Sequence, residues 1–364
     1  MKILFVSGQN KKYDGRTKAL LDILNKIADV KEYTYTNEPD YSDATRIYSK
    51  SYIGFCVKLL NRCKEYRNID CLFLDNRRSS LPGLILNKIL SPKILIYDAR
   101  ELYFYEEMES FSGKLGCILE KRIMNKANLV ICANNFRKKI MEEKFDLKDK
   151  VLVFENFRQL EFEDGFSKEN LDDKYSYIFR NKGFGIISTS GAELERGTLE
   201  LIDAYSKLNF DKFLILVGCK NGHDKSIIED YIQKHKLEKV FLIPRIDQNE
   251  LKYLISKCQL GIAFYHKKNF NNLYCASGKV YEFIYEGLPI VTSNNPPLKN
   301  LVDNYNVGEA GDDLALGITK VNNNYNFYKD NVMTFISEDV VKNGQNAFKD
   351  LLTKKIQILL NGEK

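Results

Sequence analysis

Closely spaced metal ligands and long apolar runs are both missing from this chain of 364 residues. It has only three histidines (His223, His235 and His266), and no two of its eight cysteines form a Cys-x-x-Cys pair. Because zinc sites draw on such ligands at short spacings, we expect no metal site. No run approaches the roughly 20 uninterrupted apolar residues of a membrane-spanning helix, so we expect no transmembrane segment.

A strong charge of one sign is also absent. Lysine and arginine exceed aspartate and glutamate by only six, which is too little to indicate a nucleic-acid partner. The excess suits an anionic small molecule or an anionic membrane face equally well. Cysteines inside apolar runs, such as Cys132, are typical of a reducing compartment. Residues 1–6 enter a strand pattern at once and lack a signal-peptide core, so we expect a cytoplasmic protein.

Short apolar runs alternate with helical patterns along most of the chain. Runs such as 3–7 and 94–97 are typical of strands buried inside a parallel sheet. An acidic, aperiodic stretch at 158–182 interrupts the alternation. The pattern predicts an α/β protein of two Rossmann-like domains, with ligands at the carboxyl ends of the strands and in the cleft between the domains. The predicted domains are residues 1–165 and 166–337, and a final helix covers 338–364.

The strongest functional motif lies in the second domain. Ser277 and Gly278 precede a short helix whose first N–H groups and dipole favour an anion. Lys279, in the first turn, adds a positive charge suited to a diphosphate. Glu282 lies one turn further on the same face, where a carboxylate can accept hydrogen bonds from a ribose diol. The alternative interpretation is a solvated lysine–glutamate pair on a surface helix.

In this motif the chain resembles the GT-B fold glycosyltransferases, most closely family 4. The family's donor domain carries a glutamate five residues before a Gly-x-Pro turn, and Glu282 and the turn 287–289 match that spacing. The resemblance implies that Glu282 holds the ribose of a nucleotide sugar, and that Ser277 and Lys279 contact its diphosphate. Many members have a further glutamate near the transferred sugar, where this chain has Tyr274.

A second motif opens the predicted donor domain. Gly191 follows the first strand of this half, where a glycine turn can approach a pyrophosphate closely. Arg196 could pair with phosphate oxygens. Family members often have Gly-Arg followed by Lys-Gly here. Gly191 and the pair Arg196–Gly197 fit that pattern, whereas Ala192 replaces the first arginine.

Charged residues also end a predicted strand of the first domain, in the sequence Asp98-Ala99-Arg100-Glu101. They indicate either a salt-bridged strand end or a catalytic edge. The family often has a histidine at the position of Arg100, which stays protonated and could stabilise a leaving phosphate or an acidic acceptor. Glu101 is the better candidate for handling an acceptor hydroxyl. The loop at 8–16, with Gly15 and Arg16, matches the family's loop beside the acceptor.

Residues 46–67 mix basic and apolar side chains. A helix of this composition could lie on an anionic membrane face, although an ordinary surface helix with its apolar side in the core is the commoner case.

The resemblance implies a fold of two facing Rossmann-like domains with a C-terminal helix that returns to the first. It also implies a hexosyltransferase that moves a sugar from a UDP or GDP donor to a hydroxyl of a glycan or lipid-linked acceptor. We expect retention of configuration, no metal or other cofactor, a role in cell-surface polysaccharide synthesis, and a location in the cytoplasm or at the inner membrane face. Two alternatives stay open: a nucleotide-sugar epimerase on the same fold, and a non-catalytic transferase-like partner subunit.

Overall fold

The computed structural model of the chain consists of two compact units. It describes residues 1–12, 14–39, 43–63, 66, 68–163 and 165–362. The first unit comprises Met1–Asn156 and Val341–Lys364, and the second comprises Phe157–Val340. In the described part of the chain, no helix is long and apolar enough to cross a membrane.

The second unit begins before the predicted boundary at 165, because the segment after Phe157 bonds to residues of that unit. The Glu163 N–H donates to Asn249 Oδ1 (2.9 Å), and Gln248 Nε2 donates to the carbonyl oxygen of Glu161 (3.2 Å). Two hydrogen bonds to one short stretch therefore attach the acidic segment to the second unit.

A parallel sheet forms the centre of the first unit, with the strand order β3-β2-β1-β4-β5-β6-β7 over the described residues. The strands are β1 (Lys2–Ser7), β2 (Asp29–Thr36), β3 (Arg46–Tyr48), β4 (Cys71–Asp75), β5 (Ile94–Asp98), β6 (Leu129–Cys132) and β7 (Val151–Val153). The helices are α1 (Gly15–Asn25), α2 (Tyr52–Cys63), α3 (Ser80–Leu90), α4 (Phe111–Lys126) and α5 (Asn135–Phe145). The order reverses between β1 and β4, so polar groups at their carboxyl ends lie at a topological switch point.

The second unit repeats this plan, with the strand order β10-β9-β8-β11-β12-β13 over the described residues. Its strands, all parallel, are β8 (Phe184–Ser188), β9 (Lys212–Val217), β10 (Val240–Ile243), β11 (Leu260–Ala263), β12 (Ile290–Thr292) and β13 (Gly308–Ala310). Its helices are α6 (Glu169–Phe179), α7 (Thr198–Ser206), α8 (His223–Lys234), α9 (Gln248–Ser256), α10 (Phe270–Leu273), α11 (Gly278–Tyr285), α12 (Pro296–Tyr305), α13 (Leu314–Asn323) and α14 (Tyr325–Ser337). The switch point falls between β8 and β11.

The last helix, α15 (Val340–Asn361), packs into the core of the first unit. Phe348, Leu352 and Ile356 recur every four residues and are buried beside strand residues such as Phe5. The rings of Phe348 and Phe154 lie 4.6 Å apart. A segment at the end of the sequence therefore completes a core that begins at its start.

Replacing Leu352 by alanine should destabilise the first unit by about 3 kcal/mol, because the substitution leaves a cavity in a fully buried site. The urea midpoint of that unit's unfolding transition measures the loss. The adjacent Leu351, 43% exposed against 0% for Leu352, provides the matched control, and Leu351→Ala should leave the midpoint nearly unchanged. Equal effects of the two substitutions would contradict the packing of α15.

Candidate functional site

The first turn of α11 lies beyond the carboxyl end of β11, within the second unit. Ser277 precedes the helix in an extended conformation, but its side chain does not cap the helix. Its hydroxyl instead accepts a hydrogen bond from the Tyr265 hydroxyl (3.0 Å). Because the Ser277 side chain makes no capping bond, the first N–H groups of α11 remain suited to an anion.

A buried polar chain holds the loop that leads into α11. The Tyr265 N–H donates to Ser293 Oγ (2.9 Å), and Ser293 Oγ donates to Asn295 Oδ1 (2.7 Å). Asn295 Nδ2 then donates to the carbonyl oxygen of Asn272 (2.8 Å). The residues after β12 thus fix the loop after β11. Sequence reasoning missed Ser293 and Asn295, although their polar run directly after a buried strand was a usable signal.

Lys279, in the first turn of α11, interacts electrostatically with two further cations, Arg196 and Arg158. Burial lowers the pKa of Lys279, Arg196 and Arg158 lower it further, and Glu282 and Glu193 act in the opposite direction. In the described part of the chain, Lys279 has no hydrogen-bonded or ion-paired partner. The Arg196 guanidinium lies 5.9 Å from the centre of the Tyr265 ring. The structure thus brings together Lys279 and Arg196, both predicted from sequence, and adds Arg158.

Glu282 is the buried acid of this site, with 2% of its surface exposed. Its Oε1 lies 3.0 Å from Arg158 Nε, yet that oxygen accepts no hydrogen bond. Burial raises the pKa of Glu282, although Arg158 and Lys279 oppose the shift. Buried polar atoms are nearly always hydrogen-bonded, so a buried carboxylate oxygen that is ion-paired but accepts no hydrogen bond can still take a donor such as a ligand hydroxyl.

The turn at Gly191 adopts a conformation that favours glycine. Its φ is +98°, and its N–H donates to the carbonyl oxygen of Val217 (3.2 Å). A β-carbon on Gly218 would lie only 2.9 Å from the Gly191 α-carbon, so the turns after β8 and β9 approach each other closely. Close backbone approach is what a phosphate-binding glycine turn provides.

Charged residues at the carboxyl edge of the first unit neutralise one another. Arg100 donates to Asp75 (2.5 Å), Asp14 (2.7 Å) and Thr17 (2.6 Å). Burial alone would lower the pKa of Arg100, but Asp75, Asp14 and Asp98 together raise it above its usual value. Its guanidinium is therefore held within this unit, as the interpretation of a salt-bridged strand end requires.

Arg16 belongs to the same buried cluster. It donates to both carboxylate oxygens of Asp98 (2.8 and 2.7 Å) and to the carbonyl oxygen of Phe154 (2.6 Å). Gly15 begins α1 directly after its N-cap residue, Asp14. Arg16 thus ties the start of α1, where the loop after β1 ends at Gly15, to β5 and to the segment after β7. Part of the predicted loop, Tyr13, lies outside the described residues.

Glu101 contrasts with Arg100 because its side chain is half exposed (48%). The Arg137 guanidinium lies 4.0 Å from its carboxylate and also donates to the Arg100 carbonyl oxygen. Of the two predicted catalytic residues, only Glu101 presents its charged group to solvent.

The comparisons with known proteins establish the fold. No family model and no curated protein matches the chain. HepE of Anabaena, solved with UDP-glucose, is 18% identical, with a TM-score of 0.69 over 97% of this chain and 100% of its own. Sucrose-phosphate synthase of Thermosynechococcus elongatus is 14% identical, with a TM-score of 0.66 over 99% of this chain and 95% of its own. WaaG, a glycosyltransferase of lipopolysaccharide biosynthesis, is 14% identical, with a TM-score of 0.65 over 96% of this chain and 99% of its own.

The epimerase alternative has a structural neighbour as well. UDP-GlcNAc 2-epimerase of Neisseria meningitidis is 12% identical, with a TM-score of 0.58 over 98% of this chain and 100% of its own. The chain has the GT-B fold. The predicted α/β class with two parallel sheets is thereby confirmed.

Arg100→Ala should lower the free energy of unfolding of the first unit by about 3–5 kcal/mol, because it leaves the buried carboxylates of Asp75 and Asp98 without this cation. Chemical denaturation measures the change. Lys93→Ala, at an exposed lysine of the same unit, should have little effect. Wild-type stability of the Arg100 variant would contradict a positioning role.

Glu282→Gln should stabilise the ligand-free protein above neutral pH, by about 1 kcal/mol, since it removes a charged group that burial disfavours. A raised folded pKa means that the native state binds the proton more tightly, so wild-type stability falls as pH rises above the normal glutamate range. The variant should lack this fall.

Urea titrations at several pH values compare Glu282→Gln with the wild type. The exposed Glu229 of the same unit provides the control, and Glu229→Gln should leave the pH profile unchanged. A Glu282→Gln variant that is less stable than wild type at alkaline pH would show that Arg158 and Lys279 outweigh burial.

Proposed function

We propose that this protein is a glycosyltransferase that moves a hexose from a nucleotide-sugar donor to a hydroxyl of a glycan or lipid-linked acceptor. The observation that carries the proposal is the environment of α11. Lys279 lies in its first turn with Arg196 and Arg158 nearby, and one turn later Glu282 is buried with a carboxylate oxygen that is ion-paired to Arg158 but accepts no hydrogen bond. A nucleoside diphosphate would place its phosphates at the N-terminus of α11 and its ribose hydroxyl donors at Glu282.

The first turn of α11 would hold the diphosphate. Lys279 and Arg196 carry the positive charge, and the helix N–H groups add donors. When the bond from the anomeric carbon to the diphosphate oxygen breaks, negative charge builds on that oxygen. Cations already in place stabilise this charge without reorganisation. Protein groups thus offset the charge of the leaving group, which supports a mechanism without a metal ion.

Glu282 would bind the ribose. Its Oε1 can accept one ribose hydroxyl, which would satisfy the buried oxygen. Ser277 and Gly278 shape the approach to the helix, and the Gly191 turn would border the diphosphate from the end of β8. This assignment of residues follows the family 4 resemblance and agrees with their clustering in one unit.

Glu101 is the proposed group for the acceptor hydroxyl. Its exposed carboxylate can accept the hydroxyl proton as the oxygen attacks the sugar. Arg100 and Arg16 are positioning residues in this scheme, because they hold the end of the loop that runs from β1 to Gly15. The resemblance supports retention of anomeric configuration, so in this scheme the acceptor oxygen attacks the anomeric carbon from the same face that the diphosphate leaves.

The donor base and the pathway are proposed from the neighbours. HepE was solved with UDP-glucose, and WaaG acts in lipopolysaccharide biosynthesis. We therefore favour a UDP sugar over a GDP sugar, and a role in cell-surface polysaccharide synthesis on the cytoplasmic side of the membrane. A membrane-proximal acceptor fits that role.

Incubation with a nucleotide sugar separates this function from its alternatives. A transferase should form a glycosylated product when acceptors are supplied, or release nucleotide slowly without them. An isomerised sugar nucleotide would favour the epimerase. Tight donor binding with no turnover on a broad acceptor panel would favour a non-catalytic partner.

Lys279→Ala should weaken binding of the nucleotide-sugar donor about 100-fold, since a charge-assisted contact to the diphosphate is lost. Thermal shift across UDP, GDP, CMP and dTDP sugars identifies the donor, and calorimetry then measures its affinity. Lys299→Ala, at an exposed lysine of the same unit, should bind as wild type does. Normal binding and turnover by Lys279→Ala would refute the assignment.

A further inference from the structure

Exposed apolar side chains concentrate on three neighbouring helices of the first unit. α3 contacts both α2 and α4, so the three helices form one continuous layer. Of the sixteen large apolar side chains that are exposed among the described residues, eight belong to these helices. We name this layer the three-helix surface. Patches of this kind on soluble proteins mark interaction sites.

The exposed apolar residues follow helical spacing on all three helices. On α2, Ile53 and Val57 are 75% and 53% exposed, one turn apart. On α3, Ile85 and Ile89 repeat this spacing, with 39% and 55% exposed. The opposite side of α2, with residues such as Phe55, lies in the core. Each helix therefore buries one apolar side and presents a second one to solvent.

The third helix extends the surface. Phe111 is 81% exposed at the start of α4, and Leu115 and Ile118 follow one and two turns later. The exposed acids Glu106 and Glu109 lie just before this helix, so the charge at that end is mixed.

Away from that end, the three-helix surface is basic. The three helices contain seven lysine or arginine residues and a single acid, Glu120, which is buried. The three helices therefore carry a net charge of +6, which equals the net charge of the whole chain. Lys88, Lys121 and Arg122 are exposed, and the last two follow the apolar residues of α4 by one turn.

Charge decides between the possible occupants of this surface. A second copy of the chain would bring the same cations together across a symmetric interface, which costs free energy. A bilayer with anionic headgroups matches both components, because its acyl region takes apolar side chains and its surface attracts lysine and arginine.

We propose that the three-helix surface docks this protein on the anionic face of a lipid bilayer. The occupant is a lipid surface, and the contacts come from α2, α3 and α4 together. The proposal goes beyond the residues at 46–67 that the sequence indicates, of which 64, 65 and 67 lie outside the described residues. It is independent of the donor site, which belongs to the other unit.

Vesicle sedimentation of the full chain tests the proposal. The protein should bind vesicles of phosphatidylcholine that contain phosphatidylglycerol, bind pure phosphatidylcholine far more weakly, and dissociate as salt is raised. Replacing Lys88, Lys121 and Arg122 together by glutamine should weaken binding about 100-fold. Replacing Ile53, Ile89 and Leu115 by serine should weaken it by a similar factor, since these side chains are the inserted groups.

A matched control is available in the second unit. Serine at Leu316 and Phe327, which are exposed to a similar degree, should leave vesicle binding unchanged. All variants should keep the wild-type melting temperature and donor affinity, so a failure here is distinguishable from a failure of the donor site. Absent binding at low salt, equal binding to neutral vesicles, or a wild-type dimer that Ile53→Ser dissociates would each overturn the proposal.

Discussion

Parallel strands all end at one edge of their sheet, and the charged groups that meet there must be neutralised or left for a ligand. In the first unit the charges neutralise one another: Asp75 and Asp98 are fully buried, and Arg100 and Arg16 satisfy them. In the second unit Glu282 is equally buried but keeps an oxygen without a hydrogen bond. The same architecture thus produces one edge whose charges satisfy one another and another whose buried carboxylate is only partly satisfied, and the second is the edge that we propose binds the donor.

This difference assigns separate roles to similar residue types. A guanidinium that is shared among several carboxylates costs too much to withdraw during a reaction, so Arg100 is best suited to positioning. When an anion approaches a lysine whose pKa is lowered by burial and by neighbouring cations, the charged form of that lysine is stabilised. Lys279 is in that situation. Local charge balance, more than residue type, therefore distinguishes these two cations, and it supports the proposed role of Lys279 in binding the donor.

How far the sequence predicts this structure depends on burial. Central strands such as β1 and β5 are buried on both faces, so they form continuous apolar runs that periodicity detects. β2 contains no such run, because it lies one strand in from the edge of its sheet and its sequence, DVKEYTYT, combines three charged residues with two threonines. The helical spacing of Lys279 and Glu282 was visible locally. The Arg158–Glu282 contact was not, because it joins segments that are far apart in the chain.

The net charge of a sequence likewise does not show where its charges lie in the structure. An excess of six suggested only a weak preference for anions, yet the three-helix surface alone accounts for a difference of that size. The rest of the chain is balanced. Lys279 and Arg196, in the proposed donor site, are both half-buried, so salt would screen them less than exposed cations. Six of the seven cations of the three helices are exposed, and the attraction of exposed charges reaches about one Debye length, roughly 8–10 Å at physiological salt. The two proposed sites for anions therefore differ in range and in their sensitivity to salt.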